Sequence, residues 1–327
     1  MILLKDIKGQ NNAVKCLLNT LGSGRIAASY LFFGPEGVGR ALTARAFIRE
    51  LIASCQKDNE QACGVCPVCR RVEAGEHPDL IWINPDKGES IKIEKIREAK
   101  ERLSLRPYEA PFNVCVIENA HMMTVNAANA LLKLMEEPPG ESVIILISNK
   151  KELLLATVLS RCTEIRFRYL PVDTAKEIIL ACSEDINDKE AYFLARISQG
   201  SPGKALEMRE QKTFERKKEI IRLVETIAGE STPFLMDWDT ENKEELLEDI
   251  EMIIILLRDM ALKKEGMPEQ VLDKSVFSDS ITDIWKEYKI EDIYRIVERL
   301  IKIKRALESN VNPKIAAQVL PGELVVG

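Results

Sequence analysis

Apolar residues recur along this chain in two rhythms. Val14, Leu17, Leu18 and Leu21 fall at i, i+3, i+4 and i+7, which puts them on one face of a helix opened by Gly9-Gln10-Asn11. Ser29-Tyr30-Leu31-Phe32-Phe33 is instead a short unbroken run that stops at Gly34-Pro35. Such a run predicts a strand buried on both faces. A helix over 40–51 follows. Residues 80–83, 114–117 and 143–147 predict three more buried strands. Helices bearing Ile93, Ile96 and Leu103, and then Ala128, Leu131, Leu132 and Met135, fall between them. Strands alternating with helices imply a parallel sheet covered on both sides.

After Phe167 the strand pattern stops. Residues 173–206 read as a small helical unit containing the breaker run Gln199-Gly200-Ser201-Pro202-Gly203. From Glu207 onward the helical spacing persists, as in Ile253, Leu256, Leu257 and Met260, and in Ile293, Ile296, Leu300 and Ile303. No apolar run reaches the ~18 residues of a membrane span, so no membrane association is expected. Met1-Ile2-Leu3-Leu4-Lys5-Asp6 lacks the apolar stretch of a secretory signal. A cytoplasmic location is therefore expected.

Charge and cysteine change the picture in two ways. The net charge is −6, whereas a chain that grips DNA by itself usually carries a basic surplus. Any DNA contact is expected from a local patch or from partners. Of the eight cysteines, Cys55, Cys63, Cys66 and Cys69 form C-x7-C-x2-C-x2-C. Zinc takes four tetrahedral thiolates, and a C-x2-C knuckle sets two sulfurs on one side of the ion. Because protein fills all four positions, the spacing predicts a structural zinc and a tightly wrapped loop; four redox-active thiols are the alternative. His77 is a possible substitute ligand, but a solvated loop histidine before Pro78 is the expectation. Cys16, Cys115, Cys162 and Cys182 are expected in the core.

Gly34-Pro35-Glu36-Gly37-Val38-Gly39-Arg40-Ala41 has the GxxxxGK[ST] spacing of a phosphate loop, between a strand and a helix. Gly34, Gly37 and Gly39 would let backbone N–H groups face an anion at a helix N-terminus. The side chains that carry the chemistry differ. Arg40 stands where lysine reaches the phosphates, and Ala41 has no hydroxyl for Mg²⁺. In Val116-Ile117-Glu118-Asn119, Glu118 keeps a carboxylate, but Asn119 cannot activate water. Together the three changes predict a degenerate site, with no ATP bound and none hydrolysed. A chance glycine turn is the competing reading.

Asn129-Ala130-Leu131-Leu132-Lys133-Leu134-Met135-Glu136-Glu137-Pro138-Pro139 resembles the NALLKxLEEPP signature of bacterial clamp-loader subunits, which are AAA+ proteins of the DNA polymerase III holoenzyme. Thr157-Val158-Leu159-Ser160-Arg161-Cys162 resembles their TxxSRC motif. The cysteine insert and Asn312-Pro313-Lys314 are similar to features of the same family. The resemblance runs over nearly the whole chain and is densest from Gly9 to Phe167. It implies a RecA-like AAA+ domain over 1–168 with a zinc insert at about 55–69, a helical lid over 169–207 and a helical collar over 208–327 that joins a five-subunit ring.

Within that family the tau/gamma subunits are ATPases and keep the loop lysine and hydroxyl. Arg40 and Ala41 set this chain beside the sibling that does not. The ATPases also carry a nucleotide-sensing arginine in the segment matching 200–206, where this chain has Gly203 and Lys204. Ser148 and Asn149 match a polar sensor position. The resemblance further implies that Arg161 reaches a neighbour's ATP in trans; from its chemistry alone, a surface ion pair is as good a reading. The implied partners are the tau/gamma and delta subunits, with the sliding clamp and primed DNA reached through the complex. Two alternatives stay open: an active P-loop ATPase of the tau/gamma type, which would bind ATP saturably alone, and a zinc-dependent nucleic-acid-binding protein, which would hold DNA without partners.

Overall fold

The apolar runs become strands because each is buried on both sides. The computed structural model describes residues 2–52, 62–86, 89–183, 185–210, 216, 219–221, 238, 242–267, 271, 288–309 and 311–324. The chain forms two compact units, Met1–Glu184 with Ser198–Ala205, and Asp185–Ile197 with Leu206–Gly327.

The first unit is built on a parallel sheet of β1 (Ser29–Phe33), β2 (Leu80–Ile83), β3 (Asn113–Ile117), β4 (Ser142–Ser148) and β5 (Thr163–Arg166), in the order β2-β3-β4-β1-β5. This is the expected α/β, RecA-like class. Helices α1 (Asn11–Ser23), α2 (Arg40–Ile52), α3 (Pro67–Ala74), α4 (Ile93–Leu103), α5 (Val125–Glu136), the short α6 (Ala156–Leu159) and α7 (Val172–Cys182) connect and follow the strands. Leu31, Ile144 and Leu146 are fully buried, and Ile96, Leu103, Leu131 and Leu134 from α4 and α5 join the same core. Full burial of such a side chain is worth roughly 1.5–3 kcal/mol. α5 starts where the Thr124 hydroxyl accepts the Ala127 N–H at 3.2 Å. Tyr30, Phe32, Phe47 and Phe167 form an aromatic cluster, with Tyr30 edge-on to Phe47 at 5.3 Å.

β5 had no apolar run to announce it. Of Thr163-Glu164-Ile165-Arg166 only Ile165 is buried, as suits an edge strand. Three further expectations are corrected. His77 is not solvated: it is 1% exposed, its Nδ1 accepts the Asp79 N–H at 3.2 Å, and its Nε2 lies 3.1 Å from Glu109 Oε1. Burial holds its pKa below the ordinary value, although Glu109 and Asp79 pull the other way. Cys16 and Cys182 are exposed, not core. Cys16 lies off the Ala13-Val14-Leu17 stripe that α1 buries, and Cys182 is in the last turn of α7. Cys115 is buried as expected, and Cys162 partly so.

The helices α8 (Asp188–Ile197) and α9 (Pro202–Glu210) follow. The second unit contains α8, the part of α9 from Leu206 on, and α10 (Lys243–Lys264), α11 (Ile290–Glu308) and α12 (Pro313–Glu323), the last three of which pack on one another. Leu246, Ile250, Ile253, Leu257, Ile293, Ile296 and Leu300 are buried there. The buried Asp249 carboxylate accepts Arg216 Nη2 at 2.7 Å and Trp238 Nε1 at 2.8 Å, so its charge is met. No helix among the described residues is long and apolar enough to cross a membrane.

Candidate functional site

The phosphate-loop segment leaves the end of β1 and enters α2. The Gly34 N–H donates to Ser148 O at 3.3 Å, and Gly39 O accepts the Thr43 N–H at 2.9 Å in the first turn of α2. Between them, three successive carbonyls are each tied down. Glu36 O accepts the Ser201 hydroxyl at 2.6 Å, Gly37 O accepts the Gly203 N–H at 2.8 Å, and Val38 O accepts Gln10 Nε2 at 3.2 Å. Gln10 is itself fixed by Arg168, donating to its carbonyl at 2.7 Å and accepting its N–H at 3.2 Å. Gly37 has φ +70°, and a Cβ there would run into Ser201 Oγ and Lys204 N. A Cβ on Gly203 would lie 2.7 Å from Gly37 Cα. Glycine on both sides lets the two backbones meet.

Arg40 opens α2 with only 8% of its surface exposed. Burial lowers its pKa from the ordinary value, while Glu36 and Glu118 pull it upward. Its Nη1 has no hydrogen-bond partner among the described residues. Glu118 is engaged elsewhere, accepting Trp82 Nε1 at 2.9 Å, and the Arg45 guanidinium stacks 4.2 Å from the Trp82 ring centroid. Asn119 sits in a left-handed turn at φ 52°. Ser148 Oγ lies 3.2 Å from His121 Nδ1 and accepts the Lys150 N–H at 3.1 Å. His121 has a pKa below the ordinary value, chiefly from burial, then from Lys150 and Arg40. Asn149 Nδ2 donates to Glu36 at 3.5 Å. Gly34, Gly37, Gly39, Arg40 and Glu118 thus come together as the sequence spacing implies. The loop backbone and the buried Arg40 meet at the start of α2, without a hydroxyl at 41 for Mg²⁺ or a carboxylate at 119 for water. The Gln10 tie and the His121–Ser148 pair had no signal in the sequence beyond the Gly9-Gln10 start of α1.

The sulfur atoms of Cys63, Cys66 and Cys69 lie within 4.8 Å of one another. Cys66 is the N-cap of α3, and its sulfur accepts the Cys69 N–H at 3.5 Å; Cys63 Sγ accepts the Cys66 N–H at 3.4 Å. The second C-x2-C is therefore the first turn of a helix. The leg leading into the cluster is held where Glu50 accepts the Ala62 N–H at 2.8 Å. Three thiols so gathered fit three corners of a tetrahedral zinc site. The fourth expected ligand, Cys55, lies outside the described residues.

Arg161 belongs to another part of the unit. Val158 is fully buried and Cys162 packs on the core, its thiol pKa pushed up to about 12 by burial, so the arginine beside it projects outward. Its Nη1 donates to Thr157 O at 3.0 Å, and its Nη2 donates to Glu136 Oε1 at 2.6 Å. Thr163, two residues on, begins β5 opposite Tyr30, whereas the phosphate loop follows the far end of β1 at Phe33. Thr163 and the loop thus lie at opposite ends of the strands, four residues or roughly 13 Å apart at about 3.3 Å per residue, with Arg161 just before Thr163.

A family model described as "DNA polymerase III, delta subunit" matches residues 9–171. The chain is 28% identical over 310 residues to DNA polymerase III subunit delta' of Bacillus subtilis, covering 93% of this chain and 92% of that protein. It is 30% identical over 227 residues to subunit delta' of Pseudomonas aeruginosa, covering 67% of this chain and 68% of that one. It is also 34% identical over 211 residues to subunit tau of Escherichia coli, covering 63% of this chain but only 32% of the longer tau.

Proposed function

The chain belongs to the DNA polymerase III delta' family, and from that premise we propose that it is a non-hydrolysing subunit of the clamp loader that completes a neighbour's ATP site. In this reading it assembles in the cytoplasm with tau/gamma and delta subunits through a helical collar over 208–327, with a lid over 169–207. It meets the sliding clamp and primed DNA as part of that complex. The observation that carries the reading is the division of labour across the sheet: the chain's own loop holds Arg40 and Ala41, while Arg161 stands exposed at the opposite end of the strands.

A guanidinium supplied in trans stabilises charge on the γ-phosphoryl oxygens. The test is reconstitution with tau/gamma and delta subunits. The chain alone should show no ATP turnover; hydrolysis that vanished on Arg40→Ala would overturn the reading of the loop. Arg161→Ala should fold and assemble normally yet lower the DNA-stimulated ATPase about tenfold. That is far less than the roughly 10³–10⁵ of a single-site finger, because the assembly has several sites. Arg161→Lys should rescue only in part, since a point charge does not reproduce the planar fork. An alanine variant that loads clamps at the normal rate leaves Arg161 a surface ion pair.

We also propose that Cys63, Cys66 and Cys69, with Cys55, hold one structural zinc. Metal analysis should find about one zinc per chain, and chelation should lower the unfolding temperature. Far less than one zinc, or a disulfide among these four, would rule the site out.

A further inference from the structure

Arg161 is already holding an anion, and that anion is in its own chain. Its Nη2 donates to Glu136 Oε1 at 2.6 Å, while its Nη1 donates to the Thr157 carbonyl at 3.0 Å and lies 3.5 Å from Ser160 Oγ. The guanidinium thus has two differently held edges. One rests on the carbonyl and hydroxyl of the turn that carries it. The other rests on a carboxylate from α5, twenty-five residues away in sequence.

We infer that Glu136 is the resting counter-anion of Arg161, exchanged for a phosphoryl oxygen when a neighbouring subunit presents its nucleotide. The inference rests on the reading of Arg161 as a group that acts in trans. Three observations carry it. First, carboxylate and phosphoryl oxygens are interchangeable partners for a guanidinium fork, so the edge that Glu136 occupies is the edge a phosphate would need. Second, the two side chains are 37% and 50% exposed, and a pair so open to water adds little to folding, so giving it up costs little. Third, Glu136 is the last residue of α5, with Glu137 next to it. The negative end of the helix dipole lies there, so a carboxylate is tolerated best with a cation against it. Arg161 supplies that cation. When it turns to a neighbour's nucleotide, the uncompensated carboxylate draws it back.

Glu136 therefore acts as a positioning residue that sets a threshold. It holds the guanidinium at the rim in one place and lets it go only to a stronger anion. A nucleotide with its γ-phosphoryl group competes for Arg161; one without it leaves the resting pair intact.

The experiment uses the assembled complex of this chain with its tau/gamma and delta partners. ATP turnover is measured against ATP concentration for the unaltered complex, for Glu136→Gln, for Arg161→Ala and for the double variant, with KM and kcat read separately. Glutamine keeps the shape and removes the charge. Glu136→Gln should lower KM by about two- to five-fold, the weight of a surface ion pair, with the change falling on KM more than on kcat. Glu136→Ala should move KM in the same direction. In the Arg161→Ala background, Glu136→Gln should change nothing, because the carboxylate acts only through the arginine. A KM that stays put or rises, or an equal fall without Arg161, overturns the inference while the slower turnover of Arg161→Ala keeps the trans reading. Normal turnover by Arg161→Ala removes both.

Discussion

The two ends of the β1–β5 strand pair differ in almost every physical respect. At the loop end the protein has kept a shape. Arg40 is buried, and Gln10, Ser201 and Gly203 each tie down one loop carbonyl. Yet Ala41 and Asn119 offer neither the Mg²⁺ ligand nor the base that such a loop uses. At the other end there is scarcely any construction. Arg161 stands on a short turn, anchored by Val158 and Cys162 and held by one open ion pair and the Thr157 carbonyl of its own turn. The contrast teaches what each construction allows. A loop tied down at several carbonyls keeps one shape whether or not a ligand is present. An exposed, loosely held guanidinium can exchange partners at little cost, as the role proposed for Arg161 requires.

The largest effect that sharpens the comparison is gained by restoring the loop's chemistry. Arg40→Lys with Ala41→Thr should bring saturable Mg²⁺-dependent ATP binding, measured by calorimetry, with turnover still absent. Adding Asn119→Glu should then raise turnover by about 10²–10⁴, the usual worth of a positioned base. Rapid hydrolysis by the double variant alone would break the contrast, since the loop end would then have needed no base at 119.

Next comes the clasp over the loop. Gly203→Val sets a branched side chain against Gly37 and should cost about 2–4 kcal/mol in denaturant unfolding, through overpacking against backbone that cannot yield. Substitution of Arg161, by contrast, should stay within about 0.5 kcal/mol. Equal costs at the two ends would erase the distinction between a built site and a loosely held one.

The smallest effect is in pH. His121 at the loop end has a folded pKa below 6.5, so the folded state binds its proton less readily than the unfolded chain. Its contribution is complete above about pH 6.5 and is lost as pH falls through that window toward the folded value. His77 adds a contribution of the same sign. His121→Gln should flatten part of the acid slope in thermal melts between pH 7 and about 5.5, leaving the part due to His77. Melting temperatures that rise on acidification would contradict the sign.

Residues that bury both faces were legible in the sequence. β1 to β4 lie where apolar runs predict them, because a run such as Tyr30-Leu31-Phe32 has no other way to leave water. β5 escaped because an edge strand buries one residue in four. α3 escaped because its first turn is written in cysteine and proline, which signal metal and turn before they signal helix. The glycine spacing of the loop and the cysteine spacing of the insert were plain, since both are local. What holds the loop was not. Gln10 and Arg168 are 158 positions apart and Glu36 and Ser201 are 165 apart, and no local pattern encodes such a meeting. The burial of His77 and the pairing of Arg161 with Glu136 are hidden for the same reason.

That separation of Glu36 from Ser201 also imposes a schedule. A ribosome adding about 5–20 residues per second makes the loop roughly 8–33 s before it makes the segment that clasps it. Through that interval the sheet can already be pairing, since β1, β4 and β5 are all made by Arg166. The carbonyls of Glu36 and Gly37 meanwhile have only water to bind. Completion of the first unit therefore waits on residues made after α8, and a nascent chain halted at 197 would carry its loop unfastened.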